Sequence, residues 1–141
     1  MTDVRFLPVE KMNQAGVNEL LAPYRFVNTE SNKDLTAVKI HPGEEGNSSY
    51  IPPSLIKLVV DALELPYRRT FLTDTTVLYG GRRMTAPDYV SLAWDHGFRM
   101  PDLPPFIVAD GLAGTDEFNV VLPGQCETEV ARLAAVLGRT D

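Results

Sequence analysis

The chain has one cysteine, Cys126, among its 141 residues. A lone thiol excludes an intrachain disulfide, and it excludes any metal or iron–sulfur site held by this chain's cysteines alone. Positive charge is also in short supply: 13 Lys+Arg stand against 19 Asp+Glu, a formal net charge of -6. That balance argues against a nucleic-acid binder, which needs a basic face, and against docking on an anionic membrane surface. The basic residues that do cluster, Arg68-Arg69 and Arg82-Arg83, come in pairs too short for a phosphate-tracking stripe. No run approaches the roughly 18 apolar residues of a membrane span. The opening stretch MTDVRFLPVEK has no basic region followed by a long apolar run, so no secretory signal is read there. The expectation is a cytoplasmic protein without nucleic-acid or membrane partners.

Phosphate-binding and nucleophile motifs are missing as well. The loop HPGEEGNSS (41–49) has two glycines but no Gly-Lys-Ser/Thr ending and no Gly-x-Gly-x-x-Gly spacing. No Gly-x-Ser-x-Gly elbow exists, and Cys126 has no histidine near it in sequence.

What is present is an ordinary globular composition, 44% hydrophobic and 23% charged, sized for one domain over 1–141. Val4–Val9, interrupted by Pro8, reads as a first edge strand. Val17, Leu20, Leu21 and Tyr24 mark a helix over 17–26, and Asn28–Asp34 is a polar connector. Leu35–Ile40 reads as the central buried strand. A helix follows from Pro52 to about Glu64, with Leu55, Ile56, Val59, Val60 and Leu63 on its apolar stripe, and Pro66 stops it. Tyr67–Thr73 is the next strand, so strand, helix and strand make a right-handed parallel crossover.

Asp74–Arg83 is a loop with Gly80-Gly81 at its tip. Thr85-Ala86-Pro87-Asp88 starts a helix that ends at Gly97. After a proline-rich connector come strands at Phe106–Ala109 and Phe118–Leu122. Val130, Leu133, Ala134 and Leu137 then predict a final amphipathic helix stopped by Gly138. The fold expected is α/β, three-layered, with a mostly parallel sheet and flanking helices. In a βα alternation the last helix should lead into a further strand, so an incomplete or half domain is also expected.

Three strands end in a polar residue and a turn: His41, Asp74 and Asp110. If parallel, their ends lie along one sheet edge, where open α/β sheets place ligands. One imidazole and two carboxylates, with Glu44 and Glu45 close in sequence, make a candidate divalent-cation site. The alternative is that each only forms a turn. Lys39, in an apolar run, needs a partner, and an ion pair is the simplest. Tyr79, Arg82 and Arg83 follow Asp74 closely, and two guanidinium groups beside a Gly-Gly hinge are candidates for holding a carboxylate or phosphate. Lys39, His41, Tyr79, Arg82 and Arg83 are thus the candidate ligand-binding set for a small anion. Glu44 and Glu45 weigh against a phosphate. His96 reads as a helix-end residue.

Four strings in order, VKIHPGEEGNSSYIPP, FLTDTTVLYGGRR, APDYVSLAWDHGF and PPFIVADGLAG, resemble the domain of unknown function 362 family, from about Leu35 through Asp141. The resemblance implies an α/β fold and a redox-linked setting. It implies Lys39, His41, Asp74, Tyr79, Arg82, Arg83, His96 and Asp110 as matching positions. Two departures stand out. The cysteine clusters of the family's ferredoxin-like segment are absent, so no iron–sulfur cluster is expected in this chain. Tyr89 also stands where a family histidine is expected. The resemblance further suggests that members continue beyond LGRTD, which leads to a second expectation: a non-catalytic partner subunit, pairing with itself or with a separately encoded second half through an open sheet edge.

Overall fold

In the computed structural model of the chain, residues 4–24, 35–122, 124 and 130–139 are described. The Asn28–Asp34 connector, Arg25 and Phe26 at the end of the first expected helix, and Cys126 lie outside them.

Strands β1 (Thr36–Lys39), β2 (Thr70–Asp74) and β3 (Phe106–Val108) form a parallel sheet in the order β1-β2-β3. Helix α1 (Gln14–Leu21) precedes the sheet; α2 (Pro53–Ala62) links β1 to β2, and α3 (Ala86–Asp95) links β2 to β3. Right-handed crossovers in an unbroken strand order put both linking helices on one face. Side-chain alternation agrees: Leu72 and Phe106 join Ile56 and Val60 of α2 and Leu92 and Ala93 of α3 in a single core, with Val38 packed against it. Phe71 and Ile107 alternate with Leu72 and Phe106, so they belong to the opposite face. The class is α/β with a parallel core, as expected, and among the described residues the second face carries no crossover helix.

The centre of the sheet is not where the sequence places it. Leu35–Ile40 is read as the central strand, but β1 lies at an edge and β2 is flanked on both sides and buried along its whole length. Two threonines tolerate that position because their hydroxyls donate to carbonyls, Thr70 to Pro66 at 2.9 Å and Thr73 to Ile107 at 2.7 Å. The edge position suits β1, since it lets the Lys39 ammonium reach water.

Both linking helices end in a left-handed residue. Gly97 (φ 92°) closes α3, with Phe98 N–H donating to the Ala93 carbonyl at 2.9 Å. Glu64 (φ 57°) closes α2, with Leu65 N–H donating to the Val60 carbonyl at 3.2 Å. Asn13 caps α1 by accepting from the Gly16 N–H at 3.1 Å. Gln14 then ties α1 to α2 by donating to the Leu58 carbonyl at 3.3 Å.

Two expected elements are different. The Val4–Val9 strand does not form: residues 4–8 are irregular and Val9–Lys11 make one 3-10 turn. Val4, Phe6 and Val9 are exposed, so that segment has no sheet to complete. The expected C-terminal helix is instead strand β5 (Val130–Ala134) followed by a 3-10 turn over Ala135–Arg139. β5 pairs antiparallel with β4 (Glu117–Val121), from Val121 opposite Val130 to Glu117 opposite Ala134. The spacing of Val130, Leu133, Ala134 and Leu137 satisfies a helical stripe. Over five residues a strand is equally compatible, and pairing with β4 decides it by placing Leu133 opposite Phe118 and Ala131 opposite Val120. The inference of a missing strand after a C-terminal helix loses its premise.

Candidate functional site

The carboxyl ends of β1 and β2 bring Lys39, His41 and Asp74 together, and the loop before α3 adds Tyr79 and Arg83. Asp74, only 5% exposed, is the hub. Its Oδ2 accepts from the Tyr89 hydroxyl at 2.7 Å and from Arg83 Nη2 at 3.1 Å. Lys39 Nζ lies 3.2 Å from Oδ1, and His41 Nδ1 lies 3.5 Å from Oδ2. Burial alone would raise the Asp74 carboxyl. The Tyr89 hydroxyl, the Thr75 N–H and the Lys39 ammonium outweigh it and hold the group below the ordinary carboxylate range.

Arg83 is the second anchor. Its Nη1 meets Glu44 Oε1, its Nη2 meets Asp74, and its guanidinium lies 4.9 Å over the Tyr89 ring. Burial opposes its charge, yet Glu44 and Asp74 hold it above its usual value. The Tyr79 hydroxyl also donates to Glu44 Oε1, at 2.5 Å. Burial pushes the Glu44 carboxyl up, but Tyr79 and Arg83 bring it below normal. Tyr89 is pushed far above the usual phenol value by burial and by the Asp74 carboxylate, and it stays a donor.

The loop between β1 and α2 is held in place to deliver Glu44. His96 Nδ1 lies 2.7 Å from the Pro42 carbonyl, which can only accept, so Nδ1 carries the proton. The His96 ring stacks on Tyr50 at 4.5 Å. Gly43 (φ 94°) lies against the edge of this stack: a Cβ there would lie 2.5 Å from the Tyr50 ring.

The expected set divides accordingly. Lys39 and His41 are together beside Asp74, with side chains 72% and 51% exposed. Arg83 is buried and spent on two carboxylates, and its Nε has no acceptor among the described residues. Its two contacts hold Asp74 and Glu44 in place. Arg82 reaches Ser91 Oγ at 3.0 Å and Asp95 Oδ2 at 2.8 Å on α3, and its Nη1 lies 3.8 Å from Glu45 Oε1 on the loop after β1. The two arginines are thus held by different carboxylates, Arg83 by Asp74 and Glu44 and Arg82 by Asp95 and Glu45. Asp110 accepts from the Thr76 N–H and hydroxyl at 3.0 and 2.8 Å, which makes it a loop anchor. Among the described residues no group of three or more His, Cys, Asp or Glu side chains is placed to hold a metal ion. The expected cation site of His41, Asp74 and Asp110 is not assembled there.

No family model, curated protein or solved structure matches the chain. The resemblance to the family of unknown function thus rests on its motif residues alone. No described helix is long and apolar enough to cross a membrane.

Sequence reasoning passed over Tyr89 as a site residue. Its signal was available: it shares a helical face with Leu92 and Ala93, a buried stripe in which a phenol needs a partner.

Proposed function

We propose that the protein is a small-molecule-binding α/β domain that takes an anionic ligand, a carboxylate or phosphate, at the carboxyl edge of its parallel sheet. One observation carries this reading: Lys39 and His41 are held side by side against the buried Asp74 while remaining more than half exposed. Asp74 and Glu44 are balanced by Lys39 and Arg83, and Glu45 faces Arg82 at 3.8 Å, so each nearby carboxylate that weighs against an anion has a cationic partner. The Lys39 ammonium has three N–H groups, and Asp74 engages one side of it. His41 presents Nδ1 to Asp74, which leaves Nε2 on the far edge of the ring. The redox-linked setting implied by the family resemblance stays part of the proposal, with any cluster on another chain.

The test is a titration with inorganic phosphate and with malonate, followed by NMR at the Lys39 and His41 signals, on wild type and Lys39→Met. Saturable shifts at both residues, weakened about tenfold by the substitution, are expected from the loss of one charge-assisted hydrogen bond. Absence of a saturable shift with either anion would sink the reading.

A second reading, a subunit that pairs through its sheet edge, is favoured by β1 and β3 each having a single strand neighbour among the described residues. Sedimentation over a range of concentrations decides it: self-association supports a homodimer, and a monomer with no recovered partner removes it.

A further inference from the structure

At the other end of the sheet, a cleft of about 440 Å³ opens beside the amino ends of β2 and β3. Phe71 and Ile107 form its floor on the sheet face away from α2 and α3, and Leu35, Met100 and Pro101 wall it. Leu35, Met100 and Ile107 are 38%, 57% and 43% exposed, so the cleft shows apolar groups to water. This size suits a small organic ligand.

The lining contains two cations, Arg68 and Arg69. Both are exposed, and neither forms an ion pair among the described residues. Arg69 is fixed in the turn just before β2, its N–H donating to the Pro66 carbonyl at 2.8 Å and its carbonyl accepting from the Thr36 N–H at 2.8 Å, and both arginines line the cleft. The molecule is acidic overall, yet this apolar surface is edged by two guanidinium groups without an acidic partner among the described residues. We infer that the cleft binds an amphipathic carboxylate, an acyl chain laid along Phe71 and Ile107 with its head group at Arg68 and Arg69. Carboxylate is the matching head because a guanidinium fork engages it bidentately, and the apolar walls supply the rest of the affinity. This site is separate from the carboxyl-edge site and does not depend on it.

The experiment is methyl NMR on Leu35, Met100 and Ile107 during titration with hexanoate, octanoate and decanoate, each below its micelle concentration, and with decanol. Binding is expected to tighten about three- to fourfold per added methylene until the cleft is filled. The Arg68→Gln/Arg69→Gln double variant, with both changes on exposed side chains, is expected to weaken decanoate about tenfold or more and leave decanol unchanged. Lys39→Met is expected to change neither. Equal affinity for decanoate and decanol in the wild type would overturn the assignment, as would shifts that ignore chain length. So would a dimer dispersed by Ile107→Glu, since a second copy would then be the occupant.

Discussion

The Tyr89 hydroxyl donates to Asp74 Oδ2 at 2.7 Å, a buried phenol closed over a buried carboxylate at the end of the central strand. Packing fixes the phenol from behind, since its ring meets Phe106 edge-on at 5.2 Å. Replacing Tyr89 by Phe keeps that packing and removes only the donor. The substitution should destabilise the fold by about 2 kcal/mol, the range for a hydrogen bond to a charged group. Urea unfolding at neutral pH measures it; an unchanged midpoint would show that Asp74 does not need the phenol.

The same contact makes a pH prediction. Asp74 and Glu44 both have native pKa values below normal. Their contribution to stability is therefore complete above the ordinary carboxylate range, and it is lost as pH falls through the lowered native values. Tyr89→Phe removes one lowering influence on Asp74, so in that variant the acid-driven loss should start at the same ordinary carboxylate range but be smaller and end at higher pH. Urea midpoints followed from neutral to acidic pH test this, and superimposable acid limbs for variant and wild type would refute it.

The adjacent arginines should behave very differently. Arg83→Gln leaves two carboxylates without their shared cation, one of them buried, and should destabilise by about 3 kcal/mol or more. Arg82→Gln breaks exposed contacts to Ser91, Asp95 and Glu45 and should change stability by less than about 1 kcal/mol. Paired unfolding curves decide it. Equal effects would mean that the burial of Arg83 does not matter.

That contrast shows what the sequence could and could not reveal. The three parallel strands and the two helices between them were legible, because Pro52-Pro53, Pro66 and Gly97 punctuate apolar stripes of the right length. The meeting of His41 and Asp74 was legible from strand ends, and the need of Lys39 for an acidic partner from its apolar run, whereas Asp110, expected with them, is held by Thr76 instead. The sequence could not say which of two neighbouring arginines turns inward, because that depends on where Glu44 arrives on a loop held by Pro42 and His96. The strand at Val130–Ala134 was hidden for another reason: its apolar positions fit two periods, and only its pairing with the preceding strand β4 selects one.

Lys39 should be separable from the fold. Its side chain is largely in water, and its ion pair with Asp74 is one of several contacts that satisfy the carboxylate. Lys39→Met should shift stability by no more than about 0.5–1 kcal/mol, while abolishing most of the affinity for phosphate or malonate. Thermal unfolding and the anion titration, run on the same sample, check both halves. A collapse of stability would make Lys39 a structural residue.

Gly43 sits where the loop to the site has no room for a side chain. Its φ of 94° is a conformation that L-residues rarely adopt, and an added Cβ would lie 2.5 Å from the Tyr50 ring and 3.2 Å from His96 Nδ1. Gly43→Ala must therefore move the Tyr50–His96 stack, which carries the hydrogen bond to the Pro42 carbonyl. Glu44, one residue further on, would shift with the loop and loosen its pairing with Arg83. The expected result is a loss of about 1–3 kcal/mol together with weaker anion binding, because the effect reaches Asp74 through Arg83. Gly46→Ala provides the control. It has a similar φ of 76° but nothing within 4 Å of the added Cβ, so it should carry the backbone penalty alone and leave anion binding intact. If both variants weakened anion binding equally, the loop's conformation would matter and its contact with His96 would not.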